Sequence, residues 1–114
     1  MFKINPNNYE IELSYGDDIP LTFTFKENNA YKRLNENVVF TLKQFPGDGY
    51  PELIKKTYRC NNSYEALFSI TSSDLLSAGI KVGAYYYDLY LETSKQTVIP
   101  PTLFVFKEVA HDVD

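Results

Sequence analysis

Alternation of apolar and polar residues with a period of two is the strongest pattern along this chain. Leu21, Phe23 and Phe25 fall on one side of residues 21–26, and the two threonines and Lys26 fall on the other. Because successive side chains of a strand point to opposite faces, this spacing predicts a half-buried strand. The same spacing over residues 38–43 and 64–70 aligns two more sets: Val38, Phe40 and Leu42; Ala66, Phe68 and Ile70. These segments predict three strands.

The longest alternating run covers residues 83–92. It divides into a core-facing set and an outward-facing set: Tyr85, Tyr87, Leu89 and Leu91 against Tyr86, Asp88, Tyr90 and Glu92. Weaker patterns predict further strands at residues 9–13, 53–58, 97–99 and 103–109, the last with Phe104 and Phe106 on a shared face. Seven or eight strands are therefore expected.

Residues 71–79 depart from the strand pattern. They combine hydroxyl residues suited to a helix N-cap, Asp74 in the first turn, apolar residues and a terminating Gly79, which predicts one helical turn. Turn-forming residues separate the predicted strands, at 15–18, 28–29, 35–37, 46–49, 61–63 and 100–101. Short strands divided by frequent turns are typical of a β-sandwich or barrel.

Composition narrows the class of protein. A chain of 114 residues fits a single domain, 1–114, with residues 1–8 and 110–114 expected as mobile ends. Ten tyrosines and eight phenylalanines favour strands. A net charge of −4 with scattered basic residues argues against a nucleic-acid partner. No stretch has the length of a signal peptide or membrane span, so we expect a soluble chain made in a cytoplasm, without a membrane partner.

Four short motifs follow one another along the chain. They are a Gly-Asp turn at 16–17, Val-x-Phe-x-Leu-Lys at 38–43, Ile-Thr-Ser-Ser-Asp-x-Leu at 70–76, and Gly-x-Tyr-x-Tyr-Asp at 83–88. In this order and spacing, from residue 16 to residue 113, the chain resembles a family of immunoglobulin-like bacteriophage domains. That family includes the N-terminal domain of baseplate upper proteins from phages of Gram-positive bacteria. The resemblance implies an all-β fold: an immunoglobulin-like antiparallel β-sandwich of seven or eight strands with one short helical turn near residues 72–78.

The resemblance also implies a function and a location. The chain would be a non-catalytic structural and assembly module of a phage virion, in the tail or baseplate, whose partners are other phage structural subunits or further copies of itself. Three alternatives stay open: a carbohydrate- or receptor-binding adhesion domain, a capsid decoration or head-fibre protein of the same fold, and an accessory domain of a hydrolase. A shallow aromatic groove with converging polar groups would favour glycan binding, whereas a flat, self-complementary patch would favour assembly.

Five residues are predicted to have structural roles. Tyr85 stands where a sandwich places a tyrosine whose hydroxyl bonds the backbone of the preceding corner, although it could equally be one more inward-facing ring. Tyr87 takes the position of the second cysteine of antibody-type domains, which fits a core filled by aromatic rings. Gly16 and Asp17 are interpreted as a tight turn, and Gly83 opens the Gly-x-Tyr-x-Tyr-Asp motif.

Surplus tyrosine on predicted outward positions is the most suggestive functional feature. Tyrosine combines a large contact area with a polar tip and is enriched at protein interfaces. Tyr86 and Tyr90 on one strand, with Tyr15 near a turn, are the candidate interface residues. Two other interpretations stay open for Tyr86 and Tyr90: a crossing loop covers them, or they lie on the core side of the strand. Unpaired strand edges offer a second route to assembly.

The sequence offers little evidence for a catalytic site or a metal site. His111 is the only histidine and lies near the chain's last residue, and Cys60 is the only cysteine and has no histidine or CxxC motif nearby, so neither suggests a nucleophile or general base. Asp17, Asp18 and the carboxylates at 112 and 114 match no calcium loop. We expect no enzymatic activity, no cofactor and no metal.

Overall fold

The computed structural model describes residues 2–4, 9–15 and 18–108 of the chain. This part contains one helix, α1 (Ser72–Ala78), and ten strands. In chain order the strands are β1 (Phe2–Ile4), β2 (Ile11–Ser14), β3 (Ile19–Thr24), β4 (Lys26–Glu27), β5 (Ala30–Tyr31), β6 (Leu34–Lys43), β7 (Ile54–Ser63), β8 (Glu65–Ile70), β9 (Gly83–Leu91) and β10 (Gln96–Lys107).

Two sheets form the layers of a sandwich. The larger has the order β1-β2-β10-β9-β6-β7, and the smaller pairs β3 with β8, while β4 and β5 form a separate hairpin. The predicted all-β sandwich is confirmed, and eight of the described strands, β1 to β3 and β6 to β10, build its two layers. One pairing departs from the expected antiparallel arrangement, because β2 lies parallel to β10.

The predicted faces of the long strands are those observed. Leu21, Phe23 and Phe25 are buried while their neighbours are exposed, and the core-facing set of β9 is buried along its whole length. Aromatic rings fill the centre, where the Phe40 ring stacks on Tyr87 at a centroid distance of 5.5 Å and lies 5.7 Å from Phe68. Such ring pairs contribute beyond the apolar area that they bury.

The helix forms where the sequence predicts it. Thr71 is the N-cap, its hydroxyl accepting from the Asp74 backbone N–H, while the Asp74 carboxylate accepts from the Thr71 N–H. This capping box pairs two N–H groups that the first turn leaves free. At the other end Gly79 takes a left-handed conformation, φ 70°, and its N–H bonds carbonyls of the last turn, so the chain leaves the helix toward β9.

Three predicted turns are wrong, and each lies within a strand instead. Residues 35–37 belong to β6 and residues 61–63 to β7, and these two strands pair from Leu34 with Ser63 to Leu42 with Ile54, with one register shift between Leu34 and Asn35. Pro100 and Pro101 lie inside β10, so the two strands predicted at 97–99 and 103–109 are one. Proline lacks an N–H donor, and the register of β10 against β9 shifts between Ile99 and Thr102, the interval that contains this pair, as well as between Thr97 and Ile99.

The chain ends are described only in part. Residues 2–4 form β1, which pairs with β2. Residues 1, 5–8 and 109–114 lie outside the described residues.

Candidate functional site

The outer face of the larger sheet carries the two tyrosines that the sequence singles out. Tyr86 and Tyr90 project from β9 away from the core, with Asp88 between them, and all three are half-buried. The pairing with β6 places Tyr86 opposite Lys43 and Tyr90 opposite Val39. The structure therefore brings two of the three candidate interface residues onto one surface.

This surface is concave. A hollow of about 450 Å³ lies over the centre of the sheet and is lined by Val39, Thr41, Lys43, Glu52, Lys55, Asp88, Tyr90, Glu92, Thr97 and Pro101. A second hollow of about 170 Å³ shares Lys43, Asp88 and Pro101 with the first and adds Tyr86 and the loop at residues 46–48. We call the two together the outer-face groove. Pockets of this size admit small ligands or a few side chains of a partner.

The floor of the groove is less exposed to solvent than the strand pattern predicts. Alternation over residues 38–43 places Val39 and Thr41 on the side away from the core, yet both are buried. Half-buried side chains of β9 stand beside them in the pairing, Tyr90 next to Val39 and Asp88 next to Thr41. The groove thus has an apolar and hydroxyl floor between charged sides.

Asp88 is the most unusual polar group in the groove. Burial raises the pKa of its carboxyl above the ordinary value, while the positive charge of Lys43 opposes the rise and Glu52 adds to it. No hydrogen bond from the described residues reaches this carboxylate. The Lys43 ammonium donates instead to the Gly47 carbonyl at 2.9 Å. Asp88 is therefore a partly desolvated carboxyl group that receives no hydrogen bond from the part of the chain that the structure describes.

Tyr15 lies apart from the groove. Its hydroxyl donates to the Ile80 carbonyl at 2.7 Å, and its ring packs edge-on against Phe106 at a centroid distance of 6.4 Å. It is half-buried against the core. Tyr15 thus links the end of β2 to the segment that follows α1. The structure does not bring it together with Tyr86 and Tyr90.

Two neighbouring tyrosines of β9 fix the strand from its inner side. The hydroxyl of Tyr85 accepts from the Lys81 backbone N–H at 3.0 Å, the corner bond that its position suggested, and its ring also faces inward. Tyr87 is almost fully buried, and its hydroxyl donates to the Tyr9 carbonyl at 2.6 Å. Gly83 begins the strand at φ 148°, a conformation that residues with a side chain rarely adopt.

Glu36 has a role that sequence reasoning missed. It is buried, and one carboxylate oxygen accepts from the N–H groups of Thr93 and Ser94, each at 2.9 Å, while the other accepts from the Ser94 hydroxyl at 2.6 Å. These bonds hold the turn between β9 and β10, beside Glu92 of the groove. The sequence showed only an Asn-Glu-Asn segment typical of a turn, and nothing local distinguishes a glutamate that bonds a turn 57 residues away.

Other exposed aromatic residues form two pairs. Phe45 and Tyr50, about half exposed, meet at a centroid distance of 5.2 Å on the loop beside the second hollow. Tyr31 stacks on Tyr64 at 4.5 Å, with the ammonium of Lys26 over the former ring and the Arg33 guanidinium over the latter. The first pair extends the surface of the groove, and the second holds the β4–β5 hairpin against the start of β8.

The remaining candidates offer no reactive cluster. Gly16, Asp17, His111 and the carboxylates at 112 and 114 lie outside the described residues, while the Asp18 carboxylate accepts from the Ser72 N–H at the start of α1. Cys60 is buried in β7, and burial raises the pKa of its thiol. Within the described ranges, no three His, Cys, Asp or Glu residues are grouped as a metal would require.

Comparisons of the chain with protein-family models, with curated proteins and with solved structures give no match. Among the described residues, no helix is long and apolar enough to cross a membrane.

Proposed function

We propose that the chain is a non-catalytic assembly module of a bacteriophage virion, in the tail or baseplate, that docks on other proteins through the outer-face groove. One observation carries the docking surface: Tyr86 and Tyr90 lie half-buried on the same outer face, on either side of the Asp88 carboxylate, which no donor among the described residues reaches. The virion setting follows from the resemblance of residues 16–113 to immunoglobulin-like phage domains.

The surroundings of the groove suit a protein partner. The exposed pair Phe45 and Tyr50 adjoins the second hollow, and the Lys43 bond to Gly47 ties that loop to the sheet. The floor belongs to β6 and β9, which lie inside the larger sheet with a paired strand on each side. A rigid floor and aromatic edges reduce the ordering cost of association, which favours a specific interface.

Carbohydrate binding is a second candidate function. The groove is open and combines the Tyr90 ring with polar groups that converge on its floor, among them the Thr41 hydroxyl and the Asp88 carboxylate. This arrangement is the one expected of a glycan site. Titration of the chain with neutral oligosaccharides, followed by NMR signals of β9, separates this function from protein docking.

The docking surface can be tested by self-association, which needs no known partner. We expect the mass measured by light scattering to rise with concentration in the unmodified chain and to stay at the monomer value in a Tyr86→Ser, Tyr90→Ser variant. Leu67→Ser is the control, because Leu67 is an apolar side chain more accessible than either tyrosine, 47% exposed, and projects from the smaller sheet. It should associate like the unmodified chain.

Circular dichroism must show that both variants keep the β fold. If the double variant associates as strongly as the unmodified chain, the outer-face groove is not the docking surface. A mass that stays monomeric at every concentration in the unmodified chain excludes self-docking and leaves only docking on a different protein.

A further inference from the structure

Three alternate residues of β9 form a repeating pattern along the groove. Tyr86, Asp88 and Tyr90 share the outer face, and consecutive members are about 7 Å apart because each strand residue advances about 3.4 Å. A carboxylate between two aromatic rings is a chemical environment for a cation, since it offers a counter-charge and two electron-rich ring surfaces at once.

No cationic side chain among the described residues bonds the Asp88 carboxylate. Lys43 is the cation whose charge acts on Asp88, yet its ammonium bonds the Gly47 carbonyl. Lys55 lies on the neighbouring edge strand and is exposed. The lining of the larger hollow holds three carboxylates, Glu52, Asp88 and Glu92, against these two lysines. The balance of charge therefore favours a cationic ligand over a neutral or anionic one.

Arginine fits better than lysine. Its planar guanidinium donates two parallel hydrogen bonds to one carboxylate and stacks on tyrosine rings, whereas an ammonium acts as a point charge. Arginine is also more weakly hydrated, so its transfer into a half-buried groove costs less. The two hollows meet at Asp88, which they share, so a chain laid along them can bring one side chain to this carboxylate.

We infer that the outer-face groove receives an extended segment of a partner protein, and that Asp88 accepts hydrogen bonds from an arginine of that segment between Tyr86 and Tyr90. This inference rests on the proposed docking function and names the chemistry of the partner. Asp88 acts as the residue that determines specificity, and the floor at Val39 receives an apolar neighbour of the arginine.

An array of random seven-residue peptides tests the inference. The full chain is applied beside two variants, Asp88→Asn, which keeps the shape of the side chain and removes its charge, and Glu27→Gln, which removes a charge of the same sign from the β4–β5 hairpin, outside the groove. We expect arginine to be enriched at central positions of the peptides that bind the unmodified chain and the Glu27→Gln variant. Asp88→Asn should lose this enrichment.

The strongest peptide is then synthesised with citrulline, the neutral analogue of arginine. Loss of a charged, paired hydrogen bond predicts binding weaker by about 10- to 100-fold, both for citrulline on the unmodified chain and for arginine on Asp88→Asn. In the Asp88→Asn variant, citrulline and arginine peptides should bind equally. Asp88→Ser serves as a second variant if the asparagine variant does not fold.

Three results would overturn the inference: peptides that bind without arginine, arginine peptides that bind Asp88→Asn equally well, or an array without binders. Binding of neutral oligosaccharides to the groove in place of peptides would also overturn it. The light-scattering measurement is independent, so a chain that associates through Tyr86 and Tyr90 but selects no arginine peptide would retain the docking function and lose only the arginine site.

Discussion

Tyr87 links the aromatic core to the backbone at Tyr9, just before β2. Its ring stacks on Phe40 and lies edge-on to Phe104, while its hydroxyl donates to the Tyr9 carbonyl. Burial raises the pKa of this phenol, so the hydroxyl stays a neutral donor. Because Tyr87 lies between Tyr86 and Asp88 in sequence, its fixed position also fixes the floor of the outer-face groove.

Two substitutions at Tyr87 separate the ring from the hydroxyl. Tyr87→Phe should lower the free energy of unfolding by about 1 kcal/mol, the usual net contribution of one hydrogen bond. Tyr87→Ala should lower it by about 3–5 kcal/mol, because it also leaves a cavity. Urea unfolding followed by circular dichroism measures both.

Tyr50→Phe is the control for the loss of a tyrosine hydroxyl, since Tyr50 is exposed and its ring contacts Phe45. It should leave the unfolding midpoint nearly unchanged. An equal effect of Tyr87→Phe and Tyr50→Phe would show that the bond to Tyr9 contributes nothing to stability.

At the scale of elements, helix α1 positions the strand that carries the groove. The helix ends at Gly79, and the segment that follows gives the Ile80 carbonyl to Tyr15 and the Lys81 N–H to Tyr85. The Asp74 carboxylate also pairs with Lys56 of β7 at 3.0 Å. The helix therefore links the edge strand of the larger sheet to the start of β9.

The N-cap of α1 gives a prediction at this scale. Thr71→Ala removes the hydroxyl that accepts from Asp74 and should cost about 0.5–2 kcal/mol of unfolding free energy. Ser73→Ala is the control, because Ser73 is an exposed helical residue where alanine is the better helix former. Urea unfolding should show a lower midpoint for the first variant and an equal or higher midpoint for the second.

The elements that the sequence predicts are those whose signals are local. Alternation within residues 21–26, 64–70 and 83–91 and the capping residues of α1 depend on neighbours in the chain, and these elements are confirmed. Residues 35–37 and 61–63 carry turn-forming side chains, but the pairing of β6 with β7 takes both segments into strands, and only Asn62 among them takes a positive φ, 53°, where the register shifts. Asparagine and proline preferences are therefore weaker than the pairing of the strands, which accommodates them as irregularities.

Of the candidate site, the sequence could predict only the face of the sheet on which the tyrosines lie. Alternation places Tyr86 and Tyr90 on the face away from the core, which the structure shows. The depth of the groove depends on the loop at 46–48 and on Pro101, which come from distant parts of the chain. Likewise the donors that reach Glu36 lie at residues 93 and 94, a contact that no local pattern indicates.

At the scale of the whole molecule, carboxylates couple stability to pH in two directions. Hydrogen bonds from the Ser94 side chain and backbone hold the pKa of Glu36 below the 4.5 of a free glutamate, although burial opposes them; the Thr93 N–H and Arg59 add to the lowering. Burial also opposes the lowering at Asp74, where bonds from Thr71 and Lys56 outweigh it. The pKa of Asp88 is raised instead. A carboxyl group whose pKa is lower in the folded than in the unfolded state stabilises the fold at a pH above its unfolded-state pKa. This contribution is lost as the pH falls through its folded-state pKa.

We therefore expect a Glu36→Gln variant to be less stable than the unmodified chain at neutral pH. The difference between the two should shrink as the pH falls below 4.5, the ordinary glutamate value, because protonated Glu36 no longer accepts from three donors. Urea midpoints of both proteins, measured from pH 7 downward, provide the difference. A difference that stays constant across the series would mean that the charge of Glu36 does not stabilise the turn.

The parallel pairing of β2 with β10 has a mechanical consequence. Four register pairs, from Ile11 with Phe104 to Ser14 with Lys107, join these strands. Chain enters β2 and leaves β10 at opposite ends of this pair, so a pulling force between the two points slides one strand along the other. Sliding strains all the ladder bonds together, whereas peeling an antiparallel pair from one end breaks them in turn. Force applied between Ile11 and Lys107 therefore loads this pair in shear, whereas β1, which lies antiparallel to β2, can be peeled from its end first.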